Sequence, residues 1–406
     1  MTPASTLITN IGELTTSRAG EPVLHNAAVV FEGERISWLG PASAAPAADE
    51  MVDAAGRAGL PGWVDSHTHL VFAGDRGAEF EARMAGEPYA AGGIAVTTEA
   101  TRAASDYDLT RLLLARAAEA AAGGTTYLET KTGYGLTVDE EARSARIAST
   151  VADQVSFLGA HLVPPGTDAE EYTDLVCGPM LTAVRPYVQW VDVFCEEGAF
   201  TPDQSRRVLA AGRAAGLGLR VHGNQLGPGE GVGLAAEFGA ASVDHVNHLS
   251  DADVEALAGS WTGWNAESGS GTPGTVATCL PACDLSTRAP LAPARRLLDA
   301  GVQVALASNC NPGTSYTSSM NFCVATAVLQ MGLTVAEALR AATFGGALAL
   351  RVHTGEDRDG QRAVGSLAVG HRADLQLLNA PSAAHLAYRP GMPLTGQVWR
   401  AGRPVR

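Results

Sequence analysis

The chain has 406 residues, a net charge of −15 and an apolar fraction of 46%. That length exceeds one small core and calls for two domains, or for one large barrel with an accessory domain. The acidic balance, without blocks of Lys or Arg, argues against nucleic acid and membrane surfaces as partners; it does not exclude a small anionic ligand, because one local arginine can outweigh a diffuse field.

The N-terminal Met1-Thr-Pro-Ala-Ser5 lacks the basic flank and apolar core of a secretion signal, and no apolar run reaches membrane-spanning length. Cys279 and Cys283 have no second pair nearby, so a zinc knuckle is not expected and the six cysteines read as reduced thiols of a cytoplasmic protein. From Thr6 to Gly59, short runs such as Val29-Val-Phe31 and Arg35-Ile-Ser-Trp-Leu-Gly40 alternate with glycine turns, as in a small antiparallel sheet. Gly365–Leu378 and Gly396–Gly402 have the same character. Neither end can bury a core alone, so residues 1–59 and 360–406 are expected to combine into one small composite β-sandwich. Residues 60–359 then form the main domain.

In that middle stretch, eight apolar strand candidates begin near Gly62, Thr125, Val155, Trp190, Gly218, Ser242, Val276 and Val302. Helical runs such as Leu109–Ala122, Asp203–Ala215 and Ala294–Ala300 separate most of them. Alternating strands and helices predict a parallel sheet. Eight units predict an α/β fold of the (β/α)8 TIM-like barrel type, with its site at the C-terminal strand ends. The alternative is an open doubly wound sheet, but no Gly-x-Gly-x-x-Gly turn follows the first strand. Residues 259–274, rich in Gly and Ser yet holding Trp261 and Trp264, read either as a surface loop or as a lid.

The chemistry begins at Pro61-Gly-Trp-Val-Asp-Ser-His-Thr-His-Leu70. Residues two apart on a strand share a face, so His67 and His69 project together and suit one metal ion. His-x-His is not specific by itself. Later strand ends add Lys131, His161, His222, His245 and the run Ser308-Asn-Cys-Asn-Pro-Gly-Thr314. A barrel gathers all of these into one place. The simplest site holds one divalent metal on His67, His69 and His222 with a fourth ligand from the eighth strand. His245 is the expected proton acceptor, acting as the neutral imidazole, with an acid limb of activity at about 6–7.

Together these residues resemble a known family. The segments His67-Thr-His-Leu-Val-Phe-Ala-Gly-Asp-Arg76, Lys131-Thr-Gly-Tyr-Gly-Leu136, Gly159-Ala-His-Leu-Val-Pro-Pro165, Phe200-Thr-Pro-Asp-Gln-Ser-Arg-Arg207 and Asn309-Cys-Asn-Pro-Gly-Thr314 are similar to those of the metal-dependent amidohydrolase superfamily. Within it they resemble the imidazolonepropionase family. The resemblance implies hydrolysis of the cyclic amide of 4-imidazolone-5-propanoate to N-formimidoyl-L-glutamate in histidine degradation, with zinc or iron. It implies metal ligation by His67, His69 and His222, with Asn309 at the position of the fourth ligand. Arg76 matches the arginine that grips the substrate propionate, a task suited to a planar two-pronged donor. Tyr134 and His161 match residues that hold the ring and its carbonyl. Asn311, Gly313 and Thr314 match the loop at the other end of the substrate, and Tyr89 matches the pocket wall.

Many relatives have Asp where this chain has Asn309, and an acid where it has Gln225. A neutral amide can bind a metal but cannot take a proton, so the base role falls on His245 while Gln225 hydrogen-bonds the ring. Two other readings stay open: another cyclic amidohydrolase or deaminase, in which a carboxylated Lys131 bridges two ions, and a barrel that binds a ring-containing acid without catalysis. The expected partner is a small anionic heterocycle, and the chain leaves room for a homodimer.

Overall fold

A computed structural model describes residues 5–18, 20, 23–86, 93–265, 270–355 and 363–405. The first five strands are β1 (Ser5–Thr15), β2 (Val23–Glu32), β3 (Arg35–Pro41), β4 (Glu50–Asp53) and β5 (Ala58–Pro61). β1 pairs with β2 on one side, and with β4 and then β5 on the other. Only one residue separates β5 from the first barrel strand, β6 (Trp63–Asp65). The barrel continues through β7 (Thr125–Lys131), β8 (Gln154–Ala160), β9 (Trp190–Cys195), β10 (Gly218–Gly223), β11 (Ser242–His245), β12 (Val276–Cys279) and β13 (Val304–Leu306). These eight strands pair side by side in chain order, and all pairings between them are parallel.

The barrel strands are almost wholly buried, as parallel strands covered by helices must be. Several helices start at side-chain caps. Ser105 accepts from the Asp108 amide ahead of Asp106–Ala122, and Thr201 forms a capping box with Gln204 ahead of Pro202–Ala214. Among the described residues no helix is long and apolar enough to cross a membrane.

The C-terminal strands β14 (Leu375–Leu378), β15 (Thr395–Arg400) and β16 (Arg403–Pro404) join the N-terminal sheet, because β14 pairs antiparallel with β5. Ile8, Val29, Phe31, Leu375, Leu377 and Trp399 share one core on this sheet. The expected change of domain between residues 359 and 360 lies outside the described residues. Arg372 ties the sheet to the barrel: its Nη2 donates to the Thr126 carbonyl at 2.6 Å and its Nη1 pairs with Asp153 at 3.2 Å. Gly124, with φ +102°, turns the chain where any Cβ would meet the Gln376 amide.

The segment around Trp261 is not a lid. It precedes β12, so it lies at the N-terminal end of a barrel strand, away from the face where the site forms. Trp261 is buried against Val276, Ala305 and Leu348, and its indole donates to the Thr275 carbonyl at 3.2 Å.

Closure between β6 and β13 occurs beyond their regular ends. The Asn309 amide donates to the His67 carbonyl at 3.0 Å, and the His69 amide donates to the Cys310 carbonyl at 2.9 Å. The Ser308 amide adds a bond to Asp65 Oδ1 at 3.1 Å. Gly345 and Gly346 let a helix lie flat on the same seam, since a Cβ there would collide with the Val304 or Val64 carbonyl oxygen. Gly346→Ala should therefore lose about 1–3 kcal/mol through overpacking. Gly233→Ala, in the helix Gly231–Glu237 with open space at its Cβ, should gain about 0.5–1 kcal/mol. Denaturant midpoints of the two variants measured side by side check this pair.

Candidate active site

His67 and His69 leave the end of β6 on one face, with their Nε2 atoms 3.3 Å apart. His222, from β10, brings its ring centre to 4.5 Å from that of His67. His245 completes the group, with ring centres 5.7 Å from His67 and 5.4 Å from His222. Strand alternation alone would send Asp244 and His245 to opposite faces. Both reach the interior because the chain leaves the extended region at the end of β11, with φ +85° at His245 and +53° at Val246. Such angles are strained for these residues and persist only where surrounding contacts hold them.

A second layer of charge lies under the imidazoles. His67 Nδ1 donates to Asp244 at 2.6 Å and His222 Nδ1 donates to Asp192 at 3.0 Å. Lys131 Nζ pairs with Asp192 at 2.9 Å and Glu129 at 3.2 Å, and Arg220 pairs with Asp244 at 2.9 Å. All five charged side chains are fully buried. Burial by itself would raise both aspartates. The Lys131 charge and the His222 hydrogen bond at Asp192, and the Arg220 and Lys131 charges with the His67 hydrogen bond at Asp244, hold them below the usual carboxylate range. Sequence reading missed Asp192, Asp244, Glu129 and Arg220 as parts of the site. The available signal was charge at alternate positions inside apolar strands, as in Glu129/Lys131 and Arg220/His222.

This layer decides which nitrogens face the cavity. A carboxylate only accepts, so His67 and His222 carry their protons on Nδ1 and present Nε2 lone pairs. His222 Nε2 is buried without a hydrogen-bond partner, as is Asn309 Oδ1. Burial, assisted by neighbouring charges, also lowers the pKa of His67, His69 and His245 well below the ordinary histidine value. Neutral imidazoles with converging lone pairs, above two cations and three carboxylates, fit a divalent cation.

Lys131 lies within this ion-pair layer. Its Nζ is already engaged by the Asp192 and Glu129 carboxylates at 2.9 and 3.2 Å.

One cavity is lined by His69, His222, His245 and Asn309 together with Arg76, Tyr134, His161, Gln225, Asn311 and Thr314. His161 Nδ1 donates to the Gly133 carbonyl at 2.9 Å, and burial lowers this histidine to about 4. It is neutral near pH 7, so its Nε2 is a hydrogen-bond acceptor. Arg76 is held by Glu79 through two bonds of 2.7 and 2.6 Å. Its guanidinium lies against Gly93 and Gly313, where a Cβ would collide with it. Gly313 thus gives Arg76 room, and its carbonyl accepts from Arg83 at 2.9 Å. Asn311 braces its own loop: its Oδ1 accepts from the Gly313 and Thr314 amides, and its Nδ2 donates to the Asn309 carbonyl and Thr314 Oγ1. Gln225 Nε2 lies 3.9 Å from Cys283 Sγ. Tyr89 lies outside the described residues.

The sequence profile of the Amidohydrolase family matches residues 195–404, and the chain belongs to that family. Within it, the chain belongs with the imidazolonepropionases. It is 77% identical to the imidazolonepropionase of Arthrobacter sp. (strain FB24) over 402 residues, covering 99% of this chain and 100% of that one. It is 55% identical to the imidazolonepropionase of Salinispora tropica over 407 residues, covering 99% of both. Among solved structures, a triazine hydrolase of Arthrobacter aurescens aligns with a TM-score of 0.72 at 17% identity, over 99% of this chain and 94% of that one. An adenosine deaminase from Xanthomonas campestris with bound zinc aligns with a TM-score of 0.68 at 18% identity, over 99% and 93%. Those two likenesses concern the fold.

Asp192→Asn leaves His222 with a weaker orienting partner. Divalent-ion affinity should fall about 10–100-fold. Competition against a chelator of known affinity measures it, with circular dichroism reporting whether the fold is kept.

Proposed function

We propose that this chain hydrolyses the cyclic amide of 4-imidazolone-5-propanoate to N-formimidoyl-L-glutamate, a step of histidine degradation in the cytoplasm. The observation that carries the reading is that the oriented histidine cluster and Arg76 line the same cavity. One end of a ring-containing acid thereby meets a centre suited to hydrolysis while its carboxylate meets a guanidinium.

One divalent ion, zinc or iron, would be held by His67, His69 and His222 with the Asn309 amide oxygen completing the set. It supplies a Lewis acid that acidifies water and polarises the ring carbonyl. The ion-paired setting of Lys131 supports one ion over two.

The chain's own groups do the rest. Arg76, aimed by Glu79, takes the propionate. His161, an acceptor at Nε2, receives a ring N–H, and the Tyr134 hydroxyl serves the carbonyl. His245 takes a proton from water as the water oxygen adds to the ring carbonyl carbon. When the ring C–N bond breaks, the same imidazole returns the proton to the leaving nitrogen.

Turnover with imidazolone propionate tests the reading directly. His245→Asn should abolish turnover while metal content per chain is retained, whereas His222→Ala should lose the metal. Substantial turnover in His245→Asn would remove this residue from the base role.

Since His245 must be neutral to accept a proton, activity falls as pH drops through its pKa. Burial pushes that pKa well below the ordinary histidine value. The acid limb of kcat is therefore expected below about 6.5, lower than the sequence alone indicates, and a pH–rate profile of the metal-loaded enzyme locates it.

Arg76→Lys keeps the charge but loses the planar fork. KM should rise strongly for the propionate-bearing substrate and change much less for an analogue without the carboxylate. Equal losses for the two compounds would show that Arg76 does not read this group.

A further inference from the structure

We propose that His245, Cys283 and Asp284 form a second cation site, selective for zinc, whose filling withdraws His245 from proton transfer. One ring nitrogen of His245, Cys283 Sγ and a carboxylate oxygen of Asp284 all lie within 4.8 Å of one another, and all three residues are buried. Independently, His245 Nδ1 is buried with no hydrogen-bond partner. A polar atom in that position is costly unless something meets it.

The placement follows from barrel order. Cys283 and Asp284 sit in the helix Pro281–Thr287, which starts just past β12, and β12 pairs with β11, whose last residue is His245. The three residues therefore meet at neighbouring strand ends, next to the cavity already described. Gln225, which lines that cavity, approaches Cys283 from the other side.

The donor set is chemically distinct from the histidine cluster. It offers one imidazole, one thiol and one carboxylate. Once the thiol proton, and any proton that burial keeps on the Asp284 carboxyl, leave to solvent, thiolate and carboxylate together balance the charge of a divalent ion. A thiolate in the set favours zinc over harder ions such as magnesium or manganese. No redox step is involved. An imidazole whose lone pair is bound to zinc cannot accept a proton, so excess zinc inhibits while the first ion stays in place. The inhibition rests on the function proposed above; the site itself does not.

The test uses the full chain, stripped of metal and reloaded with cobalt(II) or zinc. With excess cobalt the protein should hold a second ion per chain and show a near-ultraviolet sulfur-to-cobalt charge-transfer band. Cys283→Ser should keep one ion and lose the band. Asp284→Asn keeps the thiol and should need about tenfold or more cobalt to reach the same band, which gives a second test should the serine variant fold poorly. Excess zinc should suppress turnover of the parent chain and leave Cys283→Ser resistant. A parent chain that never exceeds one ion, or a band that survives Cys283→Ser, overturns the site. Two bound zinc ions with turnover unaffected overturn the inhibition. If the parent chain fails to turn over imidazolone propionate, the function proposed above falls, while ion count and band still decide the site.

Discussion

Five charged side chains with no contact with water hold this site in shape. Glu129, Lys131, Asp192, Arg220 and Asp244 come from four barrel strands, β7, β9, β10 and β11, and are linked by ion pairs across the barrel interior. Burying charge is unfavourable unless every partner is present and well placed. The network therefore has few alternative arrangements. Its consequence is directional: Asp244 and Asp192 each accept a hydrogen bond from Nδ1 of one histidine, which leaves the Nε2 atoms of His67 and His222 on the opposite side of their rings.

The same layer bears on the neutral side chains above it. Asn309 and Gln225 bring no charge to the cavity, where a carboxylate at either position would help balance a cation. The buried layer contains one more carboxylate than it does cations, and that excess negative charge lies directly under the histidines. Charge compensation by Asp192 and Asp244 acts through hydrogen-bonded imidazoles rather than by direct contact, which also raises the basicity of those rings as ligands.

Barrel closure governs the rest of the geometry. The seam between β6 and β13 is made by the very residues that line the site, so Asn309 is bonded through its backbone to His67, and Cys310 to His69. Helix packing on Gly345 and Gly346 keeps that seam tight from outside. At the rim, Arg76 is fixed between Glu79 and two glycines. The histidines and the arginine are thus each braced by neighbouring side chains and backbone.

Much of this was legible in the chain itself. Strand–helix alternation sets a parallel barrel, period-two spacing puts His67 and His69 on one face, and strand ends at His222 and His245 mark one end of the barrel, because these are local patterns that any folded context must respect. Other features depended on tertiary structure. Asp192 and Asp244 read as ordinary strand residues until neighbouring strands place His222 and His67 on them. His245 shares a face with Asp244 only because its backbone takes φ +85°, which alternation does not foresee. Trp261 could be read as part of a surface loop or of a lid, yet it is buried, and its position before β12 commits it to the opposite end of the barrel. The hydrogen bonds by which Asn311 braces its own loop also appear only in the folded chain. Local periodicity thus determined which residues could reach the site. Pairing between distant strands decided which atoms face inward and in what protonation state, because hydrogen bonds and buried ion pairs join residues that the linear order keeps far apart.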